Sequence, residues 1–593
     1  MPLLGPVRGT GGRGGTARRA AAALAALLLC GCVPFAGDAS GGRSASTRDA
    51  DATLTWARCR GESSLGGLQC ATLTVPLDHG APGGETIELA LARRPASGKA
   101  AERIGSLVIN PGGPGASGVE LVEQLGSAMD QRVLDRFDLV GFDPRGVGRS
   151  APVACIEDKA AVNALDGDPD NPAEIERIAA AQRAIGAACL TRYPSLLAHL
   201  STAATTMDLD LIRLALGDET LTYLGFSYGT EIGSAYARRY PERIRALVLD
   251  GAVAPDLRQV DLARAQAEGF ERAFSNFVER CRTDPRCVAG ADVRALHHHV
   301  RAMVEQAPIA VSRAGEDRDL AIGDFQMGVV SALYDQTLWA YLAQGLVEAA
   351  AGDGATLLAL ADLYHQRRAD GSYPNHADAN LAITCADSDE RYDVDNAARL
   401  AVDLARTAPT FGAQLGWSML SCHGWPTLPD ERLAPIAEPS PGTPPDRAIV
   451  VVGTLHDPAT PFVWAQQLTA ALGPTARLLT WDGEGHTAYL KSPCVTNAVD
   501  LFLVTLKPPA VGTRCAAEAA AEDGAFAGIA PELRDAFISK SGFSRPVADC
   551  IARDVAAKTV LADLIGLYQG EMSNELQAIL TQATTRCVAQ RDN

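Results

Sequence analysis

The stretch Leu-Thr-Tyr-Leu-Gly-Phe-Ser-Tyr-Gly, residues 221–229, decides the fold of this chain. Its apolar first half predicts a short strand, and residues 230–240 after it predict a helix. A Gly-x-Ser-x-Gly turn between a strand and a helix is typical of a nucleophile elbow, which holds the serine oxygen clear of the sheet. The pentapeptide also occurs by chance in glycine-rich chains, so the rest of the sequence has to support this interpretation.

Strand and helix patterns alternate on both sides of this stretch, which predicts a mostly parallel α/β sheet. The strands are expected at residues 72–76, 87–93, 106–110, 137–142, 221–224, 246–250, 448–453 and 476–481, the first two as an antiparallel pair. Between residues 254 and 446 the alternation stops, and helical patterns predict an inserted lid. The helices of this insertion are expected at residues 262–281, 291–306, 322–351, 355–366 and 397–408.

Three candidate catalytic residues follow predicted strands: Ser227, Asp457 and His486. Their order is that of α/β-hydrolases and differs from the chymotrypsin and subtilisin orders. In this chemistry the serine attacks a carbonyl carbon, the histidine moves the proton, and the aspartate orients the imidazole. His456, beside Asp457, is the alternative base; His486 is preferred because it follows the last predicted strand.

A glycine-rich loop, residues 111–118, follows the strand at 106–110. Glycine at a strand's end lets the backbone approach a ligand closely, and this position fits an oxyanion-hole loop. The candidate donors are the backbone amides of Tyr228 and of Gly113 or Gly112. Asp143 and Arg145, after the next strand, are predicted to form a structural ion pair under the site.

The N-terminus predicts export, because four arginines precede an apolar run at residues 20–29 that is too short to span a bilayer. The run ends in Leu-Cys-Gly-Cys, which is similar to a bacterial lipoprotein box. Cys32 is the predicted lipidation site rather than Cys30, because Leu29 is a poor residue at the cleavage position. An ordinary cleaved signal peptide is the alternative. We expect any membrane attachment to be through this anchor alone.

The chain of 593 residues is acidic, with a formal net charge of −18. Removal of residues 1–31 would take away four arginines and no acids, which moves the charge to −22. Such a surface disfavours nucleic acid and anionic membranes as partners. The composition, 47% hydrophobic and 21% charged, is that of a globular protein.

Cysteine usage supports an oxidising compartment, since twelve of the fourteen cysteines lie beyond the N-terminal segment. Proximity in the sequence suggests six disulfides, Cys59–Cys70, Cys155–Cys189, Cys281–Cys287, Cys385–Cys422, Cys494–Cys515 and Cys550–Cys587. A metal site is not expected, because no Cys-x-x-Cys pair occurs. The run His297-His298-His299 cannot converge on one ion from consecutive helical positions. No organic cofactor is expected either.

Seven motifs together resemble one family. They are Asn-Pro-Gly-Gly-Pro-Gly at 110–115, Asp-Pro-Arg-Gly at 143–146, Gly-Phe-Ser-Tyr-Gly-Thr at 225–230, Ala-Ile-Thr-Cys-Ala-Asp at 382–387, Cys-His-Gly-Trp-Pro at 422–426, Asp-Pro-Ala-Thr-Pro at 457–461 and Gly-His at 485–486. The chain resembles the exported bacterial tripeptidyl-aminopeptidase-like serine peptidases, relatives of proline iminopeptidase with the α/β-hydrolase fold. The similarity covers about residues 56–515 and departs at Glu231, where an apolar residue is expected.

The resemblance implies an exopeptidase that releases tripeptides or other short peptides from free N-termini. Such an enzyme needs a carboxylate for the substrate's protonated amine, and relatives use acids of the lid. The candidates are Asp387, Asp389 and Glu390, with Asp387 in the matching motif and Glu231 as an outside candidate. A carboxylesterase or lipase would need the same triad, and a non-catalytic peptide-binding lipoprotein is the third hypothesis.

These predictions divide the chain into six parts. They are a signal peptide (1–31), a tether (32–55), the first part of an α/β-hydrolase core (56–253), the helical lid (254–446), the second part of the core (447–515) and a small helical C-terminal extension (516–593).

Overall fold

The computed structural model describes residues 54–59, 67–313, 316–368, 370–425, 449–517, 545–558 and 574–589. The predicted signal peptide and nearly all of the tether, including Cys32, lie outside the described residues, as do the predicted end of the lid at 446 and much of the extension. The predicted domain boundaries stay predictions.

A ten-stranded sheet forms the centre of the fold, in the order β1-β2-β3-β5-β4-β6-β7-β8-β9-β10. Strands β1, β2, β3 and β5 pair antiparallel, and every pair from β5 to β10 is parallel. The strands are β1 Ala57–Arg58, β2 Gln69–Pro76, β3 Thr86–Arg94, β4 Gly105–Asn110, β5 Phe137–Phe142, β6 Leu221–Phe226, β7 Ile244–Asp250, β8 Ile449–His456, β9 Ala476–Glu484 and β10 Arg514–Cys515. The expected mostly parallel α/β sheet is confirmed.

Helices cover the sheet and fill the insertion. Those around the sheet are α1 Gly118–Ala128, α2 Gln131–Leu134, α3 Lys159–Asn163, α4 Pro172–Arg192, α5 Thr202–Ala215 and α6 Gly229–Arg239, and, after the insertion, α15 Phe462–Leu472 and α16 Pro493–Thr505. Those between β7 and β8 are α7 Gln259–Thr283, α8 Val293–Gln306, α9 Ile322–Leu333, α10 Trp339–Ala350, α11 Ala355–His365, α12 His376–Asp387, α13 Val394–Leu404 and α14 Gly412–Trp417. The extension contains α17 Arg545–Lys558 and α18 Asn574–Ala589.

The central strands are apolar throughout because both faces of the sheet are buried. In β4, Val108 packs into the layer that contains side chains of α5 and α6, whereas Leu107 and Ile109 pack into the layer of α1 and α16. Alternate residues of one strand thus belong to different cores. The strand ends that carry chemistry are thereby fixed between two packed layers.

The insertion has its own apolar core, built around Phe274, Phe277, Phe325 and Trp339. Apolar side chains of α17 and α18 belong to the same cluster, so the C-terminal extension packs with the insertion. The predicted helix at residues 322–351 is wrong as one element, because the chain breaks between α9 and α10. Helices α12 and α14 and strands β1 and β10 were not expected.

Six disulfides are present among the described residues, and each joins the two cysteines paired from the sequence. The bond Cys385–Cys422 ties the end of α12 to the segment after α14. None of the helices in the described ranges has the length and apolarity needed to cross a membrane.

Candidate active site

Ser227 lies in the turn between β6 and α6, with a positive φ of 53°. This left-handed conformation is strained for a residue with a side chain and is typical of a nucleophile elbow. A Cβ on Gly225 would lie 2.5 Å from the carbonyl oxygen of Gly229, so the first elbow glycine is required by the close approach of strand and helix. Thr230 Oγ1 donates to the Ser227 carbonyl at 2.6 Å and braces the turn.

Asp457 and His486 follow the neighbouring strands β8 and β9 and contact each other directly. His486 Nδ1 lies 3.0 Å from both carboxylate oxygens of Asp457, which is fully buried. Burial alone would raise the pKa of Asp457, but the facing imidazole and hydrogen bonds from His486, Thr460 and Thr487 lower it. The carboxylate therefore stays charged where it can stabilise an imidazolium.

Thr460 lies in this site as well, although the sequence did not single it out. Its Oγ1 donates to Asp457 Oδ2 at 2.9 Å and lies 3.3 Å from His486 Nδ1. The signal that was available is its place in the Asp-Pro-Ala-Thr-Pro motif, three residues after Asp457.

The insertion contacts the backbone of His486 directly at its N–H and, through Lys491 of the same loop as His486, at its carbonyl. The His486 N–H donates to the carbonyl of Tyr334 at 2.8 Å, and the Tyr334 ring meets the imidazole edge-on at 5.3 Å. Lys491 Nζ donates to the His486 carbonyl at 2.9 Å and pairs with Asp335 at 2.8 Å. The break between α9 and α10 is therefore the place where the insertion touches the catalytic loop.

The glycine-rich loop packs against the elbow. A Cβ on Gly112 would lie 2.4 Å from the Phe226 carbonyl oxygen and 2.9 Å from the Tyr228 nitrogen. The Gly112 N–H donates to Asn110 Oδ1 at 2.9 Å, so this amide is already used.

Helix α12 of the insertion also packs on this loop. Asn380 Nδ2 donates to the Pro114 carbonyl at 3.0 Å. A Cβ on Gly115 would lie 2.6 Å from the carbonyl oxygen of His376. The insertion therefore contacts the oxyanion loop as well as the histidine loop.

The predicted ion pair between Asp143 and Arg145 is wrong. Arg145 is fully buried and pairs instead with Asp208, at 2.7 Å from each carboxylate oxygen. Asp143 accepts hydrogen bonds from Ser117 Oγ at 2.6 Å and from the backbone amide of Val119. Asp143 holds the start of α1 behind the glycine-rich loop. The sequence places Asp143 and Arg145 two residues apart and gives no sign that they bind different partners.

His456, the alternative base, lies beside Glu484. Its Nε2 lies 4.0 Å from Glu484 Oε1, and Asn276 Nδ2 donates to the same carboxylate at 3.0 Å. The structure therefore brings Asp457 together with His486 and places His456 in a separate polar cluster.

Among the three predicted amine-binding acids, Asp387 is the one connected to the elbow. Its two oxygens accept hydrogen bonds from the backbone N–H of Thr202 at 2.7 Å and from Thr202 Oγ1 at 2.6 Å. Thr202 Oγ1 also contacts the hydroxyl of Tyr228, the residue after the nucleophile. Burial raises the pKa of Asp387, and burial together with the charge of Asp387 raises the pKa of Glu231.

The other two acids lie differently. Glu390 accepts a hydrogen bond at 3.2 Å from the Val260 amide in the first turn of α7, and Asp389 is exposed. Within the described ranges no group of three or more His, Cys, Asp or Glu side chains could hold a metal ion.

Comparisons with known proteins agree with this geometry. The family model described as alpha/beta hydrolase fold matches residues 105–345, and the one described as TAP-like protein matches residues 408–515. Serine protease Hip1 of Mycobacterium tuberculosis is 38% identical over 519 residues, which cover 84% of this chain and 96% of Hip1.

Two further relatives are named as an esterase and as an aminopeptidase. Carboxylesterase B of Mycobacterium tuberculosis is 35% identical over 478 residues, covering 78% of this chain and 90% of that protein. Tripeptidyl aminopeptidase of Streptomyces lividans is 30% identical over 504 residues, covering 81% of this chain and 90% of that protein.

Proposed function

This chain belongs to the TAP-like serine hydrolases of the α/β-hydrolase fold, the family of Hip1 and the tripeptidyl aminopeptidases, and from that membership we propose that it is an exported aminopeptidase. It would release tripeptides or other short peptides from free N-termini. Peptides are accordingly its expected substrates, and no cofactor takes part in the proposed reaction.

The observation that carries the proposal is the Asp387 carboxylate beside the elbow. Asp387 is connected through Thr202 to Tyr228, and the charge of Glu231 interacts with it. Burial raises the pKa of both acids because it disfavours their charged forms. A substrate ammonium group would offset this cost, whereas a neutral ester would not.

In the proposed reaction, Ser227 Oγ attacks the carbonyl carbon and His486 accepts the hydroxyl proton. The tetrahedral intermediate collapses when His486 returns the proton to the leaving amine, which leaves an acyl-enzyme. Water then attacks the acyl-enzyme by the same route and releases the peptide. Asp457, 3.0 Å from His486 Nδ1, stabilises the imidazolium in both steps.

The backbone amides of Tyr228 and Gly113 are the proposed oxyanion donors, with Gly112 as the glycine that brings them together. Donors of this kind act where negative charge develops in the transition state. A side chain at residue 112 would collide with the Phe226 carbonyl, so the close approach depends on this glycine.

The test compares three substrates: a tripeptidyl-4-nitroanilide with a free amine, its N-acetylated form, and a p-nitrophenyl ester. We expect the free-amine anilide to be cleaved far better than the blocked one. Ser227→Ala should remove all hydrolysis, a loss on the order of 10⁴–10⁶ in rate. Equal cleavage of free and blocked anilides would overturn the aminopeptidase proposal.

A carboxylesterase is the second candidate, because Carboxylesterase B is among the relatives and ester hydrolysis can use the same triad chemistry. It predicts ester cleavage with no anilide cleavage in the same assay. The tripeptidyl aminopeptidase and Hip1 relatives favour the peptidase.

The six disulfides suggest an extracellular or cell-envelope location. Within that location we propose lipidation at Cys32 after removal of residues 1–31, supported by the lipoprotein-like Leu-Cys-Gly-Cys sequence. Labelling with a lipid precursor should mark the protein, and Cys32→Ala should remove the label. A mature protein that carries no lipid would point to an ordinary signal peptide.

A further inference from the structure

Asp250 is a buried acid that lies between the two halves of the catalytic site. It is the last residue of β7, the strand between β6, which leads to Ser227, and β8, which leads to Asp457. Its side chain is fully buried, and its backbone carbonyl accepts the Ser227 N–H at 2.8 Å. The main chain of Asp250 therefore supports the strained nucleophile directly.

The side chain of Asp250 supports the other half of the site. Its two oxygens accept the Ala488 N–H at 3.1 Å each, and one of them accepts the Tyr489 N–H at 2.8 Å. The preceding amide, that of Thr487, donates to Asp457 Oδ2 at 3.2 Å. The three successive backbone amides after His486 thus donate hydrogen bonds to the carboxylates of Asp457 and Asp250.

The loop that these bonds hold is strained. Thr487 has a φ of +65°, a conformation that β-branched residues rarely adopt. Residues in such conformations persist where the surrounding structure over-determines them. Gly251, next to Asp250, adds a close approach, since a Cβ there would lie 3.2 Å from His486 Cε1.

We propose that Asp250 is a positioning residue for the reaction: its main chain fixes Ser227 and its carboxylate fixes the loop that carries His486. This inference rests on the proposed serine-hydrolase mechanism and adds a residue that touches neither the substrate nor the reacting atoms. His486 also interacts electrostatically with the Asp250 carboxylate, whose negative charge supplements that of Asp457 when His486 is protonated.

The electrostatic surroundings fit this role. Burial raises the pKa of Asp250 to about 6, the amides of Tyr489 and Ala488 and the nearby His486 oppose the rise, and Asp457 adds to it. The two carboxylates and the imidazole therefore form one interacting set of charges.

Asp250→Asn tests the proposal. An asparagine keeps the shape but replaces one acceptor oxygen with an amide group, so at least one bond to the histidine loop is lost. We expect kcat to fall about 10- to 100-fold, the usual effect of a small misplacement of a catalytic group, with KM nearly unchanged. We also expect the acidic limb of the kcat/KM profile to move to lower pH, because the imidazolium loses a neighbouring negative charge.

Asp138→Asn is the matched control. Asp138 is also buried and also accepts a backbone N–H, that of Ala96 at 2.9 Å, but it lies at the opposite end of the strands. We expect it to lower stability without moving the pH profile or the ratio of kcat to KM. An Asp250→Asn enzyme that keeps the wild-type kcat and pH profile would overturn the proposal, as would a loss matched by Asp138→Asn.

Two measures keep the test decisive. If Asp250→Asn does not fold, Asp250→Glu retains the charge and displaces the oxygens, so we expect an unmoved acidic limb and a lowered kcat; an unchanged kcat would count against the proposal. The rate of Ser227 labelling by a fluorophosphonate is measured in parallel. Absence of labelling in the wild type would refute the proposed nucleophile itself, whereas slower labelling in the variant alone supports the role of Asp250.

Discussion

Asp457 and Asp387 are aspartates of one site whose pKa values move in opposite directions. For Asp457, burial is outweighed by His486 and by hydrogen bonds, so its pKa is lowered. For Asp387, burial outweighs the two bonds from Thr202, and its pKa is raised. An ammonium group bound at Asp387 would act as His486 does at Asp457, as the cation that keeps a buried carboxylate ionised.

Asp387→Asn should therefore weaken cleavage of free-amine peptides and largely spare a small neutral ester. Loss of a buried charged partner typically costs about 2–5 kcal/mol, which is easily seen in kcat/KM. Asp395→Asn, at an exposed position in the first turn of α13, is the control and should change neither activity.

The two substrates separate binding from structure in this experiment. If Asp387→Asn weakens ester and peptide cleavage equally, the residue acts through Thr202 and Tyr228 as a structural support. If neither activity falls, the amine is bound elsewhere.

Among the secondary-structure elements, the break between α9 and α10 connects the insertion to catalysis. Its carbonyl at Tyr334 accepts the His486 N–H, and its Asp335 pairs with Lys491, which in turn donates to the His486 carbonyl. Helix α12 makes the equivalent contacts on the other side of the site, through Asn380 and Asp387. The insertion thus contributes to the geometry of the core and does more than cover it.

Lys491→Met should lower kcat several-fold with little change in KM, because it removes both the bond to His486 and the pair with Asp335. Asp335→Asn should have a smaller effect, since partly exposed pairs contribute only about 0.2–1 kcal/mol. Lys507→Met, the same change at an exposed position after α16, should leave kcat unchanged. A KM effect without a kcat effect would contradict a role in positioning His486.

The sheet could be predicted from the sequence because its strands are continuous apolar runs between turn residues. The strand expected at residues 137–142 is β5, and the one expected at 106–110 differs from β4 by one residue. Ser227, Asp457 and His486 could be singled out because each follows such a strand.

What could not be predicted depends on contacts between distant residues. The helix expected at residues 322–351 breaks at residues 334–338, where the Tyr334 carbonyl accepts the His486 N–H. Arg145 pairs with Asp208, and the carboxylate of Asp250 binds amides more than two hundred positions away. No local pattern reports such pairings.

For the whole molecule, the buried acids set how stability depends on pH. Burial raises the pKa values of Asp250, Asp324 and Asp500 from 3.8 to about 6. The folded state therefore binds these protons before the unfolded state does, and this raises stability as the pH falls through about 6. Burial lowers the pKa values of His297 and His365 from 6.5 to about 3 and about 4, which offsets part of this gain below pH 6.5. Although burial opposes this, neighbouring arginines lower the pKa of Glu316 from 4.5 to about 2. The stability that this carboxylate contributes is present above about pH 4.5 and is lost as the pH falls toward 2.

We therefore expect the Tm to be highest near pH 5 and to decline toward pH 8, measured by differential scanning fluorimetry. Asp324→Asn removes one carboxyl group whose pKa is raised by burial. The Tm of this variant should therefore exceed that of the wild type most at about pH 8, where the buried carboxylate is charged, and the difference should shrink below about pH 6. A wild-type Tm that keeps rising to pH 8 would contradict this account.

The pairing of the cysteines has a consequence for maturation. Each disulfide joins two cysteines that are consecutive in the described chain, 6 to 37 residues apart, so no bond encloses or crosses another. Consider a protein that is exported N-terminus first. When the second cysteine of each pair emerges from the export channel, the cysteine that emerged immediately before it is its native partner. An oxidant that joins thiols in order of arrival would generate the native set with no reshuffling. Active enzyme should accordingly form in a host that has a thiol oxidase but lacks a disulfide isomerase.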